Sequence, residues 1–114
     1  MSAQENEFLN YVLDLLQAMG AVKSRKMFGG YGIFMDGLMF AIIVDDVLYL
    51  KVDDESETRF AEEGLSHFVY NRQGKDVQMS FCLAPDSALE DVEVMNEWAD
   101  VAFQSAVRAA ASKR

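Results

Sequence analysis

Seven consecutive apolar residues, Leu38 to Val44, sit between two short polar pairs, Asp36-Gly37 and Asp45-Asp46. A strand that is apolar at every position has no face suited to water, so it is expected at the centre of a sheet, covered on both sides. The flanking pairs name its neighbours. Asp-Gly favours a two-residue type I′ turn, which needs positive φ at both positions, and Asp45-Asp46 is a weaker form of the same signal. Met27 to Met35, Leu38 to Val44 and Val47 to Val52 therefore read as a three-stranded antiparallel meander. In the last of these, Leu48, Leu50 and Val52 point one way while Tyr49 and Lys51 point the other.

The remaining elements follow from periodicity and punctuation. Glu5 to Met19 reads as a helix with Phe8, Val12, Leu15 and Met19 on one face, Asn10, Asp14 and Gln17 on the other, and Gly20 as its stop. Asp53 or Asp54 caps a short helix running to about Glu63, ended by Gly64. Phe68 to Arg72 and Asp76 to Leu83 form a second hairpin around Gln73-Gly74. There Val77, Met79, Phe81 and Leu83 alternate with Gln78, Ser80 and Cys82, which predicts one buried face. Pro85 closes the strand, and Ser87 with Glu90 has the form of a capping box ahead of a final helix from about Asp91 to Ala111. The expectation is an α+β fold in the order α-β-β-β-α-β-β-α, an antiparallel five-stranded sheet packed by helices. Residues 1–114 are expected to be one domain, since the length is typical of one and 51% hydrophobic content is ample for a core.

Charge bounds the function. Ten bases against 19 acids give a net charge of -9, which argues against strong direct nucleic-acid binding and against docking on anionic membranes. The single cysteine, Cys82, excludes an intramolecular disulfide, and no apolar run is long enough to span a bilayer. With no secretory signal at the N-terminus, the cytoplasm is the expected compartment.

Few residues invite a catalytic reading. His67 is the sole histidine, so any Cys-His or Ser-His pair would have to use it, and no nucleophile motif lies nearby; an ordinary exposed histidine is the expectation. Cys82 is expected to be a small buried or half-buried thiol. Neither acidic cluster, Asp45-Asp46 or Asp53-Asp54-Glu55, has the spacing of a calcium loop, and no metal or cofactor is expected. A small enzyme and a direct DNA-binding domain remain the alternatives, the first requiring a pocket around His67 or a carboxylate pair, the second requiring bases gathered on one face.

Three features point instead to contacts with other molecules. Phe28-Gly29-Gly30-Tyr31-Gly32 places three glycines within four positions. A phosphate-binding loop fails because no Gly-Lys-Ser/Thr ending follows and the next element is a strand, so a bent or bulged strand is expected. Just before it, Lys23, Arg25 and Lys26 cluster in an acidic chain, the best basic patch for a partner. Finally, the last helix carries two apolar stripes, Met95, Trp98 and Ala102, then Val92, Ala99, Phe103 and Val107. Only one is needed to seat a surface helix. Two occupants stay open for the second: the first helix through Leu9, Leu13 and Leu16, or another copy in a homodimer.

Arg25-Lys26-Met27-Phe28-Gly29-Gly30-Tyr31-Gly32-Ile33-Phe34 resembles the opening signature of the N-terminal domain of the TfoX (Sxy) family of bacterial competence regulators. The resemblance continues through Leu38-Met39-Phe40-Ala41, Leu48-Tyr49-Leu50-Lys51, Phe68-Val69-Tyr70, Met79-Ser80-Phe81 and Glu97-Trp98-Ala99, and so covers most of the chain in order. It implies a fold similar to type III secretion chaperones. It also implies a non-catalytic role in regulating natural transformation genes, by assisting the cyclic-AMP receptor protein. Family members carry a second, helical domain, so this chain is expected to be a stand-alone form. Lys23, Arg25, Lys26, Phe28, Gly29, Gly30, Tyr31, Phe103 and Val107 are the residues expected to meet a protein partner.

Overall fold

A computed structural model describes residues 7–27 and 29–112. Phe28 and the proposed helix start at Glu5 lie outside the described residues. The elements run α1 (Glu7–Leu15), β1 (Val22–Met27), β2 (Gly30–Met35), β3 (Leu38–Val44), β4 (Val47–Lys51), α2 (Glu57–Glu62), β5 (His67–Arg72), β6 (Lys75–Leu83) and α3 (Val92–Ala111). The strands form one antiparallel sheet in the order β1-β2-β3-β4-β6-β5.

The sheet therefore has six strands, not the expected five, and the order α-β-β-β-α-β-β-α is corrected to α-β-β-β-β-α-β-β-α. The added strand is β1, which carries the bases Lys23, Arg25 and Lys26 and has no buried residue. It lacks the apolar alternation by which a strand is recognised because it lies at the sheet's edge, where charged side chains also discourage pairing with a foreign strand. Of the glycine-rich segment, Gly29 lies in the connection between β1 and β2, while Gly30, Tyr31 and Gly32 belong to β2. Gly29 sits at φ 77°, and β2 begins at Gly30.

Turn chemistry holds elsewhere. Asp36 and Gly37 take φ 52° and 78°, Asp45 and Asp46 take 53° and 59°, and Gln73 and Gly74 take 54° and 82°, so all three two-residue turns have the positive φ at both positions that a type I′ turn requires. Asp53 accepts from the backbone N–H groups of Glu55 and Ser56 and so orders the turn leading into α2. The cap of α3 is Asp91, which accepts from Glu93 and Val94 at 2.8 and 3.2 Å, in place of the expected Ser87–Glu90 box. Asp86–Leu89 forms a separate 3-10 turn ahead of it.

One face of the sheet builds the core. Ile33, Ala41, Leu50 and Cys82 are paired neighbours across β2, β3, β4 and β6, and all four are buried. α3 lies over β3 and β4, burying Met95, Trp98, Ala99 and Ala102. α1 joins through Leu9 and Val12, with Leu16 just past its end, a stripe rotated from the expected Phe8–Val12–Leu15–Met19 face, whose other members pack only at its margin. Phe60 of α2 packs edge-on against Trp98 at 4.9 Å. The register slips by one between the pairs Ile33–Ala41 and Phe34–Met39, and the extra residue, Phe40, is wholly buried. A buried hydroxyl pair, Ser56 and Ser105 at 2.7 Å, ties the start of α2 to α3, with Ser105 also donating to the Val101 carbonyl.

Candidate functional site

All three helices lie on the same side of the sheet, so β3 is covered by helices on one face only, against the expectation of two. Its open side is half-buried by the side chains of the sheet itself. In pairing order, Arg25, Gly32, Ile42, Tyr49 and Leu83 run across this second face. Cations stack on its aromatics: the Arg25 guanidinium lies 4.9 Å from the centre of the Phe34 ring and the Lys51 ammonium 5.2 Å from that of Phe81. Tyr49 and Phe68 pack at 4.8 Å. Each cation over a ring face is attracted by its electron-rich π cloud, which holds the charge at the surface in a fixed place.

At the β1 end, Lys23, Arg25 and Phe34 line a shallow hollow of about 470 Å³ that closes against Asp36 and Gly37. Strand alternation sends Lys26 to the opposite face, where it pairs with Tyr31, and Tyr31 packs against the core margin. The basic cluster thus divides: Lys23 and Arg25 belong to the helix-free face, while Lys26 and Tyr31 do not. The adjacent glycines are required for different reasons. Gly29 needs its positive φ and has open space around it, whereas a Cβ at Gly30 would lie 2.1 Å from the Ile43 carbonyl oxygen. That space lets β2 and β3 approach, and no ligand is implied.

At the other end, the β5–β6 hairpin projects past the helices. Tyr70 pairs with Val77 and Arg72 with Lys75 on the same side as Phe81 and Lys51. Tyr70, Val77 and Met79 are 43%, 41% and 37% exposed. The expected buried alternation of β6 is therefore corrected: of Val77, Met79, Phe81 and Leu83 only Phe81 is buried, and Cys82 of the alternate set faces the core. This cluster was absent from the sequence expectations. It was recoverable, because a two-residue turn at Gln73-Gly74 dictates that Arg72 pairs with Lys75 and Tyr70 with Val77.

The α3 residues stand on the other side of the molecule. Ala99 is fully buried and Phe103 packs edge-on against Phe40 at 6.0 Å. Val92 and Val107 remain exposed at opposite ends of the helix, so the second stripe is not a continuous ridge.

The titratable groups hold structure together. The Arg108 guanidinium donates to Asp53 at 2.6 and 3.0 Å and keeps its carboxyl well below the usual range, at about 2. His67 is half-buried and bonded to Glu57 at 2.5 Å, so it is not the freely exposed histidine expected. It stands directly across from Cys82, yet burial, together with the charge of Glu57, pushes that thiol up to about 11. A thiol that stays protonated at neutral pH is a poor nucleophile. Among the described residues, no group of three His, Cys, Asp or Glu side chains could hold a metal ion, and no helix is long and apolar enough to cross a membrane.

The TfoX N-terminal domain family model matches residues 14–106. The chain is 37% identical over 68 residues to DNA transformation protein TfoX1 of Aliivibrio fischeri, covering 60% of this chain and 31% of that protein. It is 24% identical over 74 residues to Protein Sxy of Escherichia coli (strain K12), covering 65% of this chain and 35% of that protein. The matches thus span about a third of the length of these curated relatives.

Proposed function

The chain belongs to the TfoX N-terminal domain family, and from that membership we propose that it is a non-catalytic regulatory or adaptor module that works through protein–protein contacts. The process it serves in this reading is transcription of the genes for DNA uptake, the partner being a transcription regulator. The observation that carries the reading is the family match over residues 14–106 together with the similarity to the DNA transformation protein TfoX1 of Aliivibrio fischeri. The helix-free sheet face supports it, since it combines exposed apolar side chains with anchored cations, as binding surfaces do. Strong direct binding to nucleic acid is not part of the reading, because a net charge of -9 opposes it. Transcript levels of DNA-uptake genes, measured in the host under competence-inducing conditions, test the proposal. Deletion of the gene should lower them and the wild-type chain should restore them; levels that ignore the deletion would overturn it.

A further inference from the structure

Acids outnumber bases 19 to 10 in this chain, yet the sheet is sorted by sign. Asp76 is the one carboxylate in the six strands, and strand alternation turns it away from the side of Lys75 and Val77. The helix-free face carries five bases, Lys23, Arg25, Lys51, Arg72 and Lys75. By contrast the helix-side Arg59 and Arg108 are already engaged by Glu97, Asp53 and Glu55. Among the described residues, Lys23, Arg25, Arg72 and Lys75 have no carboxylate partner. A cation left without a counter-charge beside exposed apolar surface is complementary to an anionic, partly apolar ligand.

We propose that the β5–β6 end of this face, Tyr70, Val77 and Met79 bordered by Lys51, Arg72 and Lys75, docks an acidic polypeptide segment that also carries apolar side chains. The proposal rests on the adaptor reading and names the chemistry of its protein partner. The apolar content selects a polypeptide over a single-stranded nucleic acid. A nucleic-acid platform needs ring faces open for stacking. Here the Phe34 face is taken by Arg25, Phe81 is only 6% exposed beneath Lys51, and Tyr49 packs on Phe68. The exposed groups are two aliphatic side chains and one tyrosine, which suit Leu, Met or Phe anchors. Acidic flanks on the segment would meet Arg72 and Lys75 at the hairpin tip.

A random peptide display library, selected on the immobilised chain and followed by anisotropy titration of the enriched peptides, tests this. The expected peptides are net acidic with at least one large apolar residue. Arg72→Glu/Lys75→Glu and Tyr70→Ser/Val77→Ser should each weaken them roughly tenfold or more. The charge-reversal pair lies at the exposed tip, and thermal melts of both variants confirm that they fold. No enrichment, enrichment of basic or neutral peptides, undiminished binding to the folded charge-reversal pair, or tighter binding of oligothymidylate than of any peptide would overturn the proposal. Because the selection uses the isolated chain, its failure is distinguishable from a failure of the transcript measurement in cells.

Discussion

Leu48 and Leu50 in β4, and Val77 and Met79 in β6, occupy the same kind of position, alternate residues of an antiparallel strand, in opposite surroundings. The leucines are 2% and 0% exposed on the side that α3 covers, while Val77 and Met79 stand 41% and 37% exposed on the opposite side of the sheet. Strand geometry decides which side chains share a face. Whether that face meets a helix or water is decided by the side on which the helices come to lie, and α3 packs over β3 and β4 on the side of Leu48 and Leu50. The apolar residues left over by this arrangement are the ones available to a partner.

The comparison can be broken most directly by truncation. Leu50→Ala should cost about 2–5 kcal/mol, because it removes a wholly buried side chain from a core that cannot collapse around the gap. Val77→Ala should cost less than about 1 kcal/mol, as surface changes do. Urea denaturation midpoints measure both, and equal shifts would mean that the hairpin is covered after all.

The two adjacent glycines sharpen the contrast between packing and torsion. Gly30→Ala should lower stability by about 3 kcal/mol, since its methyl would meet the Ile43 carbonyl and force β2 from β3. Gly29→Ala should cost about 1 kcal/mol, the penalty of a side chain at left-handed φ with free space around it. Chemical denaturation of the two variants would detect a reversal of this order.

Asp53 joins the helix layer to the sheet, and its loss should fall next. Asp53→Ala is expected to destabilise by about 1–2 kcal/mol at neutral pH, the lower part of the range for charged hydrogen bonds because Arg108 is partly solvated. Asp53 has its folded pKa depressed to about 2, below the ordinary 3.8. Its contribution is therefore fully present above the unfolded value and fades as pH falls through 3.8 towards 2. Melting curves from pH 5 to about pH 2 should show wild type and Asp53→Ala converging with acid.

The smallest effect lies at the rim shared by both faces. Asp36-Gly37 and Gln73-Gly74 place glycine second in their turns, but Asp45-Asp46 holds two aspartates at positive φ. Asp46→Gly should raise stability by about 0.5 kcal/mol, the relief of left-handed strain less the added freedom of the unfolded chain. A thermal midpoint unchanged or lowered would show that Asp46 is held by something beyond its own backbone.

Much of this architecture was legible before the structure. The sites of three turns, the long final helix and the orientation of β4 all follow from residue spacing. The missing strand was illegible for a physical reason. β1 reads Val-Lys-Ser-Arg-Lys-Met, and its pairing is carried by backbone hydrogen bonds that leave no mark on side-chain pattern. The cap of α3 was misplaced because Ser87-x-x-Glu90 and Asp91 are both acceptable caps locally. Packing against β3 and β4 decides which one opens the helix. Of the candidate surface, Lys23 and Arg25 share the helix-free face, whereas Lys26 and Tyr31, grouped with them in the sequence, lie across the plane of the sheet.

By itself the sequence determined what depends on neighbours along the chain: hairpin turns from Asp-Gly and Gln-Gly, helix from apolar periodicity, and the parity of each strand. Only the tertiary structure decided that the helices gather on one face of the sheet. That placement turns Val77, Met79 and Tyr70 outward to solvent and, among the described residues, leaves Arg72 and Lys75 beside them without a carboxylate partner. Burial is a property of what lies opposite a side chain in space, and no spacing along a strand encodes what lies opposite.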